Sequence, residues 1–143
     1  MQDLHGYYLE DLSVGMSASY AKTISESDVY LFAGISGDNN PVHINEQYAA
    51  NTSFGKRIVH GMFSAALIST VAGTRLPGPG AIYIDQQITF RAPVYIGDTV
   101  NASLTITGID ERRGRVQTQT DVHVGDRIVA TGNATFRVSK RPS

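Results

Sequence analysis

From Ile58 to Thr74 the chain reads IVHGMFSAALISTVAGT, without an Asp, Glu, Lys or Arg. A run like this has to be hidden from water. A membrane span needs about 20 predominantly apolar residues. This run is shorter and holds His60, Gly61, Ser64, Ser69, Thr70 and Gly73. It predicts a helix buried inside a soluble domain. The rest of the chain must therefore supply its cover.

The cover is legible downstream. RLPGPG, ending at Gly80, breaks the helical pattern, and from residue 81 the period changes to two. Ile82, Ile84, Ile88 and Phe90 alternate with polar neighbours, as do Val100, Ala102, Leu104 and Ile106. Val116, Val122 and Val124 share a face with Thr118 and Thr120, and Ile128, Ala130, Ala134, Phe136 and Val138 form the last such row. Four strands with one apolar face each predict an antiparallel sheet covered on one side. Gly97-Asp98 is read as the end of the first. Asp110 to Gly114 and Gly125-Asp126 fit hairpin connections.

Upstream, the first fifteen residues read as an arm, and residues 16–24 as a strand. Ser25 and Asp28 have capping-box spacing, and Val29, Phe32, Ala33 and Ile35 follow at helical spacing. They predict a short helix over 27–36 that stops at Gly37. Asn45 is placed to cap another short helix reaching about Asn51. The order is one strand, helices, then four strands. This is an α+β layout in which the apolar helix fills the concave face of a five-stranded sheet.

With 143 residues and no linker or repeat, the whole chain, 1–143, is expected to form one domain. It contains no cysteine, which excludes disulfides, zinc thiolates and thiol nucleophiles. Twelve basic residues face 13 acidic ones, a formal net charge of −1, with no stripe to track phosphates. This argues against nucleic acid as a partner. Arg112, Arg113 and Arg115 read as a solvated hairpin tip. The N-terminus lacks the order of a signal peptide. A cytoplasmic location is the expectation.

Chemistry concentrates in SGDNNPVHIN, residues 36–45. A turn uses Asp, Asn, Pro and Gly, but it has no need of His43. One reading is a helix C-cap and an Asx-Pro turn. The other is an acid–base pair, Asp38 and His43, sharing one water and stiffened by Pro41. Local sequence leaves both open. The second candidate is IVHGM, residues 58–62. The first turn of a helix presents unpaired N–H groups at its positive end, and an N–H at Gly61 can hold a developing oxyanion. Glycine there leaves room for a close carbonyl. No dinucleotide, phosphate-loop, HExxH or nucleophile-elbow motif is present. The four histidines have no ligand-like spacing, so no metal is expected.

YLFAGISGDNNPVHIN, followed by GKRIVHGMFSAALIS and ITFRAPVYIGDTV, resembles the MaoC-like dehydratases, nearest to the (R)-specific enoyl-CoA hydratases. The likeness runs over nearly the whole chain. It includes a complete D-x-N-P-x-H pattern at Asp38, Asn40, Pro41 and His43. The resemblance implies a hot-dog fold, a sheet wrapped around a central helix, commonly paired as a homodimer. It also implies reversible hydration of trans-2-enoyl-CoA to (R)-3-hydroxyacyl-CoA, with coenzyme A as part of the substrate and no separate cofactor. Such a product would feed polyester synthesis or side paths of β-oxidation. Asp38 and His43 would be catalytic, Gly61 would supply the oxyanion N–H, and Asn40 and Ser69 would support them. The alternatives are a dehydratase subunit acting on acyl carrier protein and a hot-dog thioesterase. Lys56, Arg57 and Arg91 are candidates for the coenzyme A phosphates by charge alone. Tyr83 and Met62 are candidates for the acyl pocket.

Overall fold

The computed structural model describes residues 2–143. In chain order it contains β1 (Ser17–Thr23), α1 (Glu26–Ser36), α2 (Pro41–Ile44), α3 (Glu46–Ala50), α4 (Gly61–Thr74), β2 (Ile82–Phe90), β3 (Thr99–Asp110), β4 (Arg115–Val124) and β5 (Arg127–Arg137). The strands form one sheet in the order β1-β3-β4-β5-β2, with every pairing antiparallel. The α4 helix packs on one face of this sheet, which is the expected hot-dog arrangement.

Burial explains the packing. Leu67, Ile68, Val71 and Ala72 of α4 are buried, as are Val100, Ala102, Leu104 and Ile106 of β3 and Val116, Thr118, Thr120 and Val122 of β4. Each fully buried Val, Leu or Ile contributes about 1.5–3 kcal/mol. Thr118 satisfies its hydroxyl by donating to the Ala134 carbonyl at 2.9 Å. The N-terminal arm lies on the domain, with Leu9 and Leu12 in the core.

The helices around the site form for local reasons. Ser25 and Asp28 make the expected capping box. Gly37 ends α1 with φ of +80°, a left-handed conformation that glycine adopts without a Cβ penalty. Of the apolar stripe of α1, only Val29 is buried, and Ile35 is exposed.

Several expectations need correction. Residues 41–44 form a helical turn, not an open loop, with Pro41 as first residue and Asn40 as cap. The β2 strand ends at Phe90, not near Gly97. Residues 91–98 are a connection tied to the start of α4 by the Ile58–Tyr95 bridge. A register shift between Tyr83 and Asp85 reverses the faces of β2, so Ile82 and Ile84 are exposed while Tyr83 is half-buried. A shift after Val122 similarly leaves Ile128 exposed and puts Val129 in the core. Each extra residue moves the following side chains to the opposite face. At the arginine-rich turn, Arg112 and Arg113 are exposed but Arg115 is half-buried on β4.

Candidate functional site

The end of α1, the α2 turn and the start of α4 converge on Asp38, His43 and His60. The chain leaves α1 at Gly37. The Asp38 backbone N–H then donates to Ser36 Oγ at 3.1 Å, and the Asn40 N–H donates to Asp38 Oδ1 at 3.3 Å. The Asn40 side chain in turn accepts the Val42 N–H at 3.1 Å, starting α2. Asn40 therefore shapes the turn. With Pro41 fixing the first helical φ, His43 is carried to the inner side.

His43 is buried, and Asp38 is exposed. The ring nitrogen Nδ1 of His43 lies 2.7 Å from the Ile58 carbonyl. A carbonyl only accepts, so Nδ1 carries the proton. In neutral His43 the lone pair is then on Nε2, which lies 3.9 Å from Asp38 Oδ2. That gap is too long for a direct hydrogen bond. It is short enough for one water oxygen to reach both atoms at about 2.8 Å. Burial holds the imidazole below its usual pKa. The Ile58 carbonyl opposes this, His60 adds to the lowering, and Asp38 favours the charged form. Burial dominates, and the neutral base is favoured.

His60 completes the group and was not singled out from sequence. It is the residue preceding α4 and is only 2% exposed. Its Nε2 donates to the Asp38 backbone carbonyl at 2.9 Å. Its ring stacks on His43, centroids 3.8 Å apart, and packs against Phe32 at 4.8 Å. Its Nδ1 is buried with no hydrogen-bond partner among the described residues. Seventeen positions separate the two histidines, so spacing gave no sign that they would meet. One ligand-type atom from each of Asp38, His43 and His60 falls within 4.8 Å of the others. However, His43 Nδ1 and His60 Nε2 already serve carbonyls, and the group open to a shared molecule is the Asp38–His43 pair.

The outcome for the remaining residues is mixed. Gly61 is the first residue of α4, with its N–H at the positive end. The space left by its missing side chain is taken by Phe90, whose ring atoms would lie 3.0–3.2 Å from a Cβ at that position. A cavity of about 310 Å³ adjoins this point, lined by Phe54, His60, Gly61, Ser64, Phe90 and Arg91. It does not include Asp38 or His43. Ser69 lies eight residues along α4, about 12 Å by helix rise. It faces a different cavity with Ala72, Gly73 and Tyr83 and makes no hydrogen bond to Asp38 among the described residues. Arg57 is not free for a phosphate. It donates to Glu46 and Glu26, each at 2.8 Å, and to the Tyr30 hydroxyl at 3.1 Å. It thereby ties α1 to α3 across the turn that carries Asp38 and His43. Lys56 lies over the Tyr95 ring at 4.6 Å, while Arg91 is exposed at the cavity beside Gly61. Among the described residues no helix is long and apolar enough to cross a membrane.

The MaoC like domain pattern matches residues 13–127. Over 97% of its length the chain is 55% identical to the (R)-specific enoyl-CoA hydratase of Rhodospirillum rubrum, covering 96% of that protein. It is 48% identical to the 3-hydroxybutyryl-CoA dehydratase of Methylorubrum extorquens, over 99% of this chain and 90% of that one. Among solved structures, the (R)-hydratase from Aeromonas caviae superposes with a TM-score of 0.87 at 36% identity, covering 90% of this chain and 98% of that chain. An unliganded R-hydratase from Pseudomonas aeruginosa gives 0.88 at 41%, covering 94% and 86%.

Proposed function

The chain belongs to the MaoC-like domain family, and from that premise we propose that it adds water reversibly to trans-2-enoyl-CoA thioesters, giving (R)-3-hydroxyacyl-CoA. The observation that carries the mechanism is the fixed tautomer of His43. With Nδ1–H given to the Ile58 carbonyl, Nε2 presents a lone pair toward Asp38. One water held between Nε2 and the carboxylate is the nucleophile. As its oxygen bonds to C3, one of its protons passes to Nε2. The C2–C3 π electrons move toward the thioester, whose oxygen is stabilised by the Gly61 N–H at the α4 terminus. C2 then takes one proton from the same pair. The elements of water are thus added from a single face, and dehydration runs the same steps backward. No step requires a metal or redox group.

The coenzyme A arm is assigned to the cavity beside Gly61, whose lining includes the exposed cation Arg91. A homodimer belongs to the same reading. The β2 strand is a sheet edge that carries exposed Ile82 and Ile84, and an open apolar edge invites a second strand. A cytoplasmic site of action fits a cysteine-free chain. The deciding experiment follows enoyl absorbance and free thiol together. Loss of enoyl absorbance without thiol release, with an (R) product, supports hydration. Thiol release instead would make the chain a thioesterase. Parallel assays on coenzyme A and acyl-carrier-protein substrates separate the two dehydratase readings.

A further inference from the structure

The turn that carries Asp38 and His43 is gripped by one short segment, Arg57 to His60. His60 holds the Asp38 carbonyl. Ile58 holds α2 with both of its backbone groups. Its carbonyl accepts the His43 Nδ1–H at 2.7 Å, and its N–H donates to the Val42 carbonyl at 3.2 Å. The segment is itself anchored to the connection after β2, by the Ile58–Tyr95 bridge and by the Val59 N–H, which donates to the Val94 carbonyl at 2.7 Å. Arg57, the residue before Ile58, takes hold of the helices on either side.

The Arg57 guanidinium is the sheltered centre of an ion cluster. Its side chain is 12% exposed, while those of Glu26 and Glu46 are 53% and 63% exposed. Nε donates to Glu46, Nη2 to Glu26 and Nη1 to the Tyr30 hydroxyl. That hydroxyl donates in turn to Glu26 at 2.9 Å and closes the cluster. Glu26 is the first residue of α1 and Glu46 the first of α3. The stretch between the two carboxylates therefore contains Asp38, α2 and His43. A planar fork can serve acceptors in separate directions at once, whereas an ammonium is a point charge on a flexible stem. An isolated surface ion pair is worth little, but several charges joined through one sheltered guanidinium fix a geometry. The cavity beside Gly61 is lined by Ile58 but not by Arg57. Arg57 thus reaches the site through the backbone, not through the space assigned to coenzyme A.

Resting on the hydratase reading, we propose that Arg57 is a positioning residue for His43. By drawing Glu26 and Glu46 together it closes the stretch between them and keeps α2 seated on Ile58. The Ile58 carbonyl then holds the proton on Nδ1, and the Nε2 lone pair stays 3.9 Å from the Asp38 carboxylate. The α2 turn has only four residues, too few to keep a helical shape unaided. Without the clasp the imidazole is free to turn or to carry its proton on Nε2, where it cannot accept one from the water.

The test compares wild type with Arg57→Met, Arg57→Lys and the double variant Glu26→Gln/Glu46→Gln, which leaves Arg57 in place. It reads kcat and KM on a short trans-2-enoyl-CoA, the ring-nitrogen NMR shifts of His43 in the free enzyme, and thermal melts for folding. Arg57→Met and the double variant are each expected to lose about tenfold or more in kcat, with KM within about threefold of wild type. In both, His43 is expected to show a mixture of its neutral tautomers, where wild type shows Nδ1–H alone. Arg57→Lys keeps the charge but cannot serve both carboxylates and the phenol, and it is expected to recover only part of the loss. A folded Arg57→Met protein with wild-type kcat and an unmixed His43 tautomer overturns the proposal, even where its melt is lowered. A raised KM with unchanged kcat also overturns it and makes Arg57 a contact for coenzyme A. Should Arg57→Met fail to fold, the double variant decides: unchanged kcat and tautomer overturn the clasp. If wild type leaves the enoyl thioester untouched, the hydratase reading itself falls, while the His43 shifts still decide whether Arg57 positions the ring.

Discussion

Replacing His60 with phenylalanine separates its structural part from its catalytic part. His60 makes one hydrogen bond, from Nε2 to the Asp38 carbonyl, and its loss costs about 1 kcal/mol. Asp38 is exposed, so water can take over that carbonyl. In return, the substitution removes Nδ1, a buried acceptor without a partner, which relieves about 1–3 kcal/mol. The ring remains to stack on His43 and Phe32, and its slightly larger volume costs under about 1.5 kcal/mol. The effects nearly cancel, and stability in urea unfolding is expected within about 1.5 kcal/mol of wild type. His60→Ala, which leaves a void at a buried ring, should lose about 3 kcal/mol or more. Activity should part from stability. Without the tether, Asp38 is free to drift from Nε2, and kcat should fall about 10- to 100-fold. A pH profile supplies an independent readout. His60 is one of the groups lowering the His43 pKa. In His60→Phe that pKa rises toward the ordinary histidine range. The base works only when neutral, so the acid limb of kcat/KM should move to higher pH. A Phe variant as unstable as the Ala variant would refute the orphaned-nitrogen reasoning. Unchanged kcat with an unmoved limb would refute the tether.

Other expectations follow from the same geometry. His43→Gln and Asp38→Asn should each lower enoyl-CoA turnover by about 10²–10⁴ or more while circular dichroism shows a native fold, because the paired base or its partner is lost. In wild type the acid limb should fall below the ordinary histidine range, since burial holds His43 down; a limb at or above it would count against His43 as the base. Gly61→Ala forces a Cβ to 3.0–3.2 Å from the Phe90 ring. It should lower activity and cost about 1–3 kcal/mol, with Phe90→Ala recovering part of the stability loss in the double variant. Arg57→Met should flatten the acid dependence of stability. Hydrogen bonds from Arg57 and then Tyr30 hold the Glu26 carboxyl below its usual range, so its contribution is present above the ordinary carboxylate pKa and lost as pH falls through the lowered one. Urea titrations at neutral and acid pH check this.

What the sequence disclosed depended on how local the deciding physics was. The buried α4 could be read because its run from Ile58 to Thr74 lacks charge. The Ser25–Asp28 box and the Gly37 stop were legible because a cap is settled within a few residues. The β3 strand was read correctly because a central strand without a bulge over Val100–Ile106 keeps strict alternation. Local sequence left Asp38 and His43 open between a plain turn and an acid–base pair, and only the family resemblance favoured the pair that the structure brings to 3.9 Å. His60 was not legible. Its role comes from α4 docking beside α2, a contact spanning 22 residues to the Asp38 carbonyl. The place of Arg57 was hidden for the same reason, since its partners Glu26 and Glu46 lie on two other helices.

The misreading of β2 comes from a single extra residue. Period-two alternation assumes one residue per pleat, and Ile82 and Ile84 satisfy it well enough to pass for a core face. One extra residue between Tyr83 and Asp85 breaks the assumption, and no composition rule marks the place. If the same sequence ran as a regular strand with no bulge, Tyr83 and Gln86 would fall on opposite faces, because three positions is an odd number of pleats. With it, both turn toward α4, where the phenol and the amide meet. A variant that deletes Ile84 removes the extra residue and leaves Tyr83 and Gln86 two positions apart, on one face of a regular strand. The Tyr83–Gln86–Thr120 chain should then persist. Thermal unfolding of this variant is expected close to that of wild type and above that of Gln86→Leu, which cuts the chain. A deletion variant as unstable as Gln86→Leu would mean that the bulge itself, and not the parity of the pleat, holds the two side chains together.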